Sequence, residues 1–264
     1  MKLILSRKGF DSSFADMPSP ILPDGTLLSI PIPSDDKISY DELKYNGKSY
    51  SELLKELKKS FNYTSCHLDP DIRKECKTRD DKWVAAFGQS DAALSHLFNN
   101  NVSIGDIFLF FGWFRKTEYD KEGKLRFVKN APNLQIIFGY LQVGEILNKY
   151  DDIKRIYWHP HADIRRENDK LNVIYLASNK LLDLNLNGYG TFNFSKELVL
   201  TKEGYSKSRW ELPKCLKGKK ITYHKESNDK GDYFQSVARG QEFIVEMDND
   251  ILEWFNDIVK NSIL

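Results

Sequence analysis

Residues 105–114 read GDIFLFFGWF, in which a Gly-Asp turn leads into an apolar run that only Gly112 interrupts. A strand with one solvated face alternates apolar and polar side chains, whereas a strand buried on both faces is apolar throughout. The run therefore predicts a fully buried strand. A hairpin signal at Glu122-Gly123 separates it from a second apolar segment at residues 134–143. We expect these two segments to form the centre of a sheet.

Helices and shorter strands surround this central pair. Apolar side chains recur at helical spacing in residues 50–61 and 251–259, and Ser90 or Asp91 starts a third helix that reaches residue 98. Because strands and helices do not alternate regularly, the pattern predicts an α+β fold with a mixed, mostly antiparallel, curved central sheet and flanking helices. The shorter strands are predicted at residues 2–5, 156–158, 173–177, 191–194, 221–223 and 242–246.

The composition is that of one compact unit over residues 1–264. Apolar residues make up 41% of the chain, which is ample for a hydrophobic core. Arg7 and Lys8 interrupt the apolar run at the start, which is therefore too short for the apolar region of a signal peptide. No later stretch is apolar over the length of a membrane span. We therefore expect a cytoplasmic location. The cysteines are odd in number, three, and lack CxxC spacing, which argues against disulfides and a thiolate zinc site.

The charge pattern limits how the protein could contact nucleic acid. A net charge of +1 is too small for a surface that grips long DNA through many phosphates. Residues 202–230 are locally basic, with nine lysines and arginines against four acidic residues, an excess of five. Such a run is either a local nucleic-acid contact or a solvated lysine-rich loop.

Two histidine motifs carry the strongest chemical signal, HLDPD at residues 67–71 and HPHAD at residues 159–163. Alternate residues of an extended segment share a face, so His67 could lie beside Asp69, and His159 beside His161. Two imidazoles and a carboxylate suffice for zinc or iron, which makes a divalent metal a candidate cofactor with His67, His159 and His161 as its ligands. The alternatives are hydrogen-bonding histidines and plain structural ones.

The segment SRKGFDSS, residues 6–13, follows the first predicted strand. Amides at a glycine turn, together with Arg7, Lys8, Ser12 and Ser13, could cradle a phosphate or a ribose, and Asp11 could act as a base. Walker spacing is absent, so an ordinary turn in which Asp11 caps the backbone is the alternative.

Further ligand-binding candidates are polar or aromatic side chains near these motifs. Glutamine amides suit the edge of a base, and tryptophans can stack on one. Trp113 is expected in the core because it belongs to the buried run. The remaining candidates are Asp71, Arg73, Gln89, Trp158, Arg209, Trp210 and Gln241.

Several segments together resemble the nucleotide modification associated domain 3 family, and the likeness runs nearly from end to end. It implies an association with systems that make or process modified nucleotides or DNA bases, whose other components become candidate partners. A local likeness over about forty residues, from Gly105 to Glu145, is similar to PUA-like barrels such as ASCH and EVE domains, which implies a barrel-like part. The segments are SRKGFDSS, PSPILPDG, HLDPDIR, AAFGQSDAALSHL, GDIFLFFGWFR, FGYLQVGEI, WHPHAD, RWELP and GQEFIVE.

We therefore expect a protein that binds a nucleotide or a nucleic-acid base and has no membrane partner. One hypothesis is acid/base chemistry, with Asp11 or Asp69 as base, a histidine as acid, and Arg73 or Lys8 holding an anion. A metal-dependent hydrolase built on HLDPD and HPHAD is an alternative. Others are a non-catalytic reader of a modified base and a structural subunit of a modification complex.

Overall fold

The computed structural model of the chain describes residues 1–10, 15–182 and 184–262. These residues confirm the predicted α+β fold. The helices are α1 (Tyr50–Leu57), α2 (Asp91–Asn99), α3 (Tyr150–Ile153) and α4 (Asn249–Ser262). The strands are β1 (Lys2–Arg7), β2 (Ser19–Ile21), β3 (Ile32–Ser39), β4 (Lys44–Tyr45), β5 (Lys48–Ser49), β6 (Ser65–His67), β7 (Ala86–Ser90), β8 (Ile107–Tyr119), β9 (Leu125–Phe127), β10 (Leu134–Leu147), β11 (Asn172–Ala177), β12 (Tyr189–Thr191), β13 (Arg209–Trp210), β14 (Phe234–Gln235) and β15 (Glu242–Glu246).

The central sheet is mixed and open. Its strands follow the order β15-β1-β8-β10-β11-β7, while β2 and β9 pair with β8 and β12 pairs with β10. Strand β8 is parallel to β1 and β2, and the other pairs in this sheet are antiparallel. The predicted central pair is β8 and β10, whose first residues are buried on both faces. Because β15 and β7 do not pair, the part of the sheet that the structure describes is not a closed barrel.

The sheet curves strongly, and its two edges approach each other through side chains. Two strands separate β7 from β8 in the sheet, yet the rings of Phe87 and Phe108 lie 4.8 Å apart on the concave side. At the edges, Nε2 of Gln89 on β7 donates to Oε1 of Glu242 on β15 at 2.6 Å. In a closed barrel, backbone hydrogen bonds would join the edge strands β7 and β15. Here the Gln89–Glu242 side-chain bond joins them instead, so that β1, β7 and β15 lie close together.

A second apolar cluster packs beside the sheet and carries β6. Its buried members include Leu53 and Leu54 of α1, Tyr40 and Cys66. Helix α1 starts with a capping box, in which Ser49 and Glu52 satisfy each other's backbone amides. Since β6 pairs with β3, this cluster fixes the position at which β6 ends.

Two predicted strands are wrong. Residues 156–158 form turns, because the amide of His159 donates back to the carbonyl of Ile156 and Pro160 follows. Residues 221–223 make one ladder bond, from Thr222 to Ile244, after which Tyr223 turns away with φ +66°. None of the described helices is both long and apolar enough to cross a lipid bilayer.

Candidate functional site

A polar cleft of about 590 Å³ opens where β1 and β7 end and β15 begins. The loop that follows β6 and the 3₁₀ turn Pro160–Ala162 form another side. Ligand pockets in proteins usually have volumes of about 300 to 1,000 Å³, so this cleft has room for a nucleotide-sized molecule. Its lining includes Arg7, Lys8, Gly9, Phe10, His67, Asp69, Gly88, Gln89, Ser90, Trp113, Gln135, His161, Arg166, Lys207, Ser208, Gly240 and Gln241.

His67 is the last residue of β6, and one carboxylate fixes its ring. Nδ1 lies 2.6 Å from Oδ2 of Asp36, which also accepts a hydrogen bond from Ser34. Burial opposes ionisation of Asp36, but the hydrogen bond and charge of His67, the hydrogen bond of Ser34 and the charge of Arg165 together outweigh it, so the pKa of this carboxyl is lowered. An ionised carboxylate can only accept, so Nδ1 of His67 carries the proton. In the neutral imidazole Nε2 is then the acceptor.

His161 is fixed in the same way by an amide. Its Nδ1 lies 2.6 Å from Oδ1 of Asn172, and Nδ2 of Asn172 donates to the carbonyl of His161 at 2.9 Å. The second bond orients the amide so that its oxygen faces the imidazole, which again places the proton on Nδ1. Burial lowers the pKa of His161 to about 3. The ring is therefore neutral at physiological pH and has its acceptor at Nε2.

Asp69 lies beside these two rings, and its side chain is 4% exposed. Oδ1 accepts the amide proton of Gly88 at 2.7 Å and lies 3.2 Å from Nε2 of His159. Burial raises the pKa of Asp69, but the contact with His159 and the charge of Lys8 outweigh it, so the pKa is lowered overall. A carboxylate with a lowered pKa is a weak base, which suits it better to holding a cation than to accepting a proton.

The structure therefore groups His67, Asp69 and His161, whose candidate ligand atoms all lie within 4.8 Å of one another. The sequence-based hypothesis named His159 as a third imidazole ligand. Nδ1 of His159 instead accepts the amide proton of His161 at 3.2 Å, and its Nε2 faces Asp69. His159 thus lies behind the carboxylate, and Asp69 takes the place that the hypothesis gave to His159.

Gly88 packs directly against the two rings of the HPHAD motif. A Cβ atom at this position would lie 2.3 Å from Cδ2 of His161 and 2.8 Å from Cε1 of His159. Since no side chain fits there, the position requires glycine. The signal that could have identified it is a glycine inside a strand-forming segment, which often marks a close approach to the backbone.

Basic side chains predominate among the charged residues of the cleft. Among the residues that the structure describes, its lining includes the basic side chains of Arg7, Lys8, Arg166 and Lys207 and one carboxylate, that of Asp69. Nζ of Lys8 lies 3.3 Å from Oε1 of Glu242, a buried carboxylate behind the cleft, and 4.4 Å from the ring centre of Phe87. Arg7 and Lys8 were predicted as ligand-binding residues from the SRKGFDSS segment. Arg166, which follows the HPHAD motif, was not predicted.

Trp113 lies at the cleft although it was expected in the core. It is partly exposed, its Nε1 donates to Asn133 at 3.0 Å, and Nζ of Lys207 lies 3.6 Å above its ring. Trp113 and the fully buried Phe114 are successive residues of β8, so their side chains point to opposite faces of the sheet. Gln135 is nearby, and because its Oε1 accepts from Trp210 at 3.0 Å, its NH₂ group is left to donate.

Other residues named from the sequence lie away from the cleft. Asp71 is buried and accepts hydrogen bonds from Arg79 and from Nε1 of Trp83. Arg73 donates to the carbonyl of Leu27 and lies beside a different groove.

The two remaining tryptophan candidates and Arg209 also lie outside the cleft lining. Trp210 is 1% exposed and belongs to the core. Trp158 packs against the apolar cluster around Ile153. Arg209 is exposed and lies over the ring of Tyr233. Of the basic run at residues 202–230, Lys207 lines the cleft. The candidates Asp11, Ser12 and Ser13 are outside the described residues.

Comparisons with known proteins bear on this site through the family alone. No curated protein and no solved structure shows significant similarity to the chain. The model of one family, nucleotide modification associated domain 3, matches residues 2–246. This range includes both histidine motifs, the glycine of β7 and the start of β15. The chain therefore belongs to the nucleotide modification associated domain 3 family.

Proposed function

We propose that the cleft binds a nucleotide, or a nucleobase that nucleic acid presents, and that the protein acts on it in nucleotide modification. The observation that carries the proposal is the lining of the cleft, whose described residues include four basic side chains and one carboxylate around a space of about 590 Å³. The family name supplies the association with nucleotide modification.

The charge distribution supports a ligand that carries phosphate. The whole chain has a net charge of only +1, so four cations around one cleft are a local concentration. Arginine and lysine bind phosphate oxygens by charge-assisted hydrogen bonds, which are about twice as strong as neutral ones. Arg166 and Lys207 approach the cleft from different segments of the chain, an arrangement that suits a phosphate held between them.

The neutral part of the lining supports recognition of a base. Trp113 offers a partly exposed aromatic surface, and stacking on an aromatic side chain stabilises a bound base by about 1 to 3 kcal/mol. Gln135 has an NH₂ group left to donate, and Gln241 lies exposed at the rim. Amides of this kind can pair with the edge of a base.

A catalytic role fits the cleft better than that of a non-catalytic reader. A reader needs stacking and edge contacts, whereas this cleft also holds a buried carboxylate beside two oriented imidazoles. Such a set is costly to bury and is typical of active sites. A reader would tolerate Asp69→Asn with its affinity unchanged, while an enzyme would bind and lose turnover.

The proposal is tested by calorimetric titration of nucleoside monophosphates, nucleoside triphosphates and short single-stranded DNA into the protein. Arg166→Gln removes one cleft cation, and the expected loss of affinity is about 10- to 100-fold, because a hydrogen bond to a charged group contributes about 1.5 to 3 kcal/mol. Arg126→Gln is the matched control, since Arg126 also pairs with a carboxylate but lies on β9, away from the cleft. Absence of binding across the panel, or equal losses in both variants, would overturn the proposal.

A further inference from the structure

We propose that His67, Asp69 and His161 bind a divalent transition-metal ion at the floor of the cleft, and that His159 positions Asp69 without binding the ion. The inference deepens the proposed function, on which it rests for the role of the ion, because the ion would border the same cleft. The binding of the ion itself depends on these residues alone.

The three candidate ligand atoms are already close together. They lie within 4.8 Å of one another, and the ring centres of His67 and His161 are 5.2 Å apart. A metal ion at bond lengths of about 2.0 to 2.2 Å separates neighbouring ligands by roughly 3 to 3.5 Å. Small side-chain movements therefore suffice to form the site.

Hydrogen bonding makes this group of atoms a cluster of acceptors. Asp36 accepts a hydrogen bond from Nδ1 of His67, and Oδ1 of Asn172 accepts one from Nδ1 of His161, so both neutral rings present a lone pair at Nε2. Asp69 is a carboxylate and can only accept. None of these three groups can donate a hydrogen bond to another, so their convergence is unfavourable unless a cation binds to them.

The cluster is also shielded from solvent that could satisfy it. The side chains of His67 and Asp69 are 16% and 4% exposed, and His161 is 3% exposed. Burying three acceptors side by side costs free energy, which proteins recover at metal sites through the bonds to the ion.

The hydrogen-bond partners of the three ligand side chains are of the types found at known metal sites. Histidine ligands usually donate their second nitrogen to a carboxylate or a carbonyl group, which fixes the tautomer and the ring orientation. Asp36 and Asn172 serve His67 and His161 in this way. For Asp69, the amide of Gly88 and the ring of His159 contact Oδ1, and within the described part of the chain Oδ2 is available to the ion.

The ligand set indicates the class of ion. Two imidazoles and one carboxylate suit zinc(II) or iron(II), whereas calcium and magnesium prefer oxygen ligands. Three protein ligands leave at least one coordination position for a water molecule or for an oxygen of the bound nucleotide. The arrangement thus combines a metal ion with a phosphate-binding cleft.

The test uses untagged, full-length protein, stripped with chelator and dialysed, in the absence of nucleotide. Cobalt(II) is titrated in and followed by its visible absorption, and zinc(II) binding is measured by calorimetry. The expected result is one ion per chain, with affinity at least about 100-fold lower in His67→Ala and in Asp69→Asn. His96→Ala is the matched control, because His96 lies on α2 outside the cleft lining and bonds to Thr222; its affinity should equal that of the wild type.

The role of His159 is separated from that of a ligand by spectroscopy. His159→Ala should bind cobalt(II) about 10- to 100-fold more weakly with an unchanged absorption spectrum, as expected for a residue behind the ligands. A changed spectrum would make His159 a ligand and refute its positioning role.

Failure of the metal site would be distinguishable from failure of the nucleotide proposal. Less than stoichiometric metal in the wild type, or equal affinity in wild type and His67→Ala with both folded by circular dichroism, would overturn the metal site. Nucleotide binding is tested separately, by titrating nucleotide into the same metal-free protein, and its result does not depend on the metal site.

Discussion

The imidazoles of the cleft are held by single partners, and each partner fixes which nitrogen faces the cleft. Asp36 orients His67, Asn172 orients His161, and the absence of a side chain at Gly88 lets the rings of His159 and His161 lie against β7. Small changes at these positions should therefore alter metal binding more than they alter the fold.

Gly88→Ala should displace both rings of the HPHAD motif. Overpacking of this kind costs about 1 to 3 kcal/mol of stability, and the displaced His161 should bind cobalt(II) more weakly. Gly204→Ala is the control, because Gly204 has φ +78° and nothing within 4 Å of an added Cβ, so that it is strained without touching the site. Urea unfolding and cobalt(II) titration of both variants would measure the effects. Unchanged metal affinity in Gly88→Ala would contradict the close packing.

His161 should make the metal-free protein sensitive to mild acid. Burial lowers its pKa from an ordinary value of 6.5 to about 3, so between these pH values the unfolded chain binds a proton that the folded chain does not. Stability must then fall as the pH drops below 6.5, by about 1.4 kcal/mol per pH unit at most and about 2 kcal/mol between pH 7 and pH 5. The check is urea unfolding with chelator at both pH values. His161→Gln should lose about 2 kcal/mol less over this interval, and an equal loss would rule out the buried neutral imidazole.

Sequence motifs identified several residues of the cleft but not the partners that orient them. Arg7, Lys8, Gln89 and Gln241 line the cleft together with His67, Asp69 and His161, and their roles in binding or catalysis stay predictions. Asp36 was missed because it lies 31 residues before His67, and Asn172 because it lies 11 residues after His161. Such contacts depend on tertiary structure, which local spacing does not encode.

At the scale of elements, the cluster around α1 supports β6 and therefore the position of His67. Helix α1 is short, so its stability depends on its first turn and on its packing. The long apolar strands could be predicted from their lack of alternation, and α4 from its period. The predictions of strands at residues 156–158 and 221–223 were wrong, because short apolar segments can also form turns and tertiary contacts decide between the two.

Ser49→Ala should remove one half of the capping box of α1. The expected cost is about 1 kcal/mol, since the amide of Glu52 loses its acceptor. Ser60→Ala is the control because Ser60 is exposed and follows the helix. Denaturant unfolding measures the difference between the two variants, and cobalt(II) affinity should stay constant in both. Equal stability of the variants would show that the cap is not a determinant of α1.

At the scale of the whole molecule, the sheet joins the two ends of the chain. Leu3 on β1 pairs with Val245 on β15, and the Gln89 to Glu242 bond links the sheet edges above the buried aromatic rings. The sequence predicted the class of this fold but not the strand order, because pairing partners more than two hundred residues apart leave no local pattern. That residues 1–264 form one unit stays a prediction.

A single unit should unfold in one cooperative transition. Strands from the first and the last parts of the chain share one sheet and one core, so neither part can unfold while the other keeps its buried surface. Differential scanning calorimetry should give a van't Hoff enthalpy equal to the calorimetric enthalpy. Two resolved transitions would divide the chain into separate units.

The central claim is that one cleft binds a nucleotide beside a metal ion. The most direct measurement is the ³¹P relaxation of a nucleoside monophosphate bound to protein loaded with paramagnetic cobalt(II), compared with protein loaded with diamagnetic zinc(II). The account predicts faster ³¹P relaxation in the cobalt(II) form, lost in His67→Ala and retained in His96→Ala. Equal relaxation of the bound nucleotide in both metal forms would contradict it, because the phosphate would then lie far from His67, Asp69 and His161.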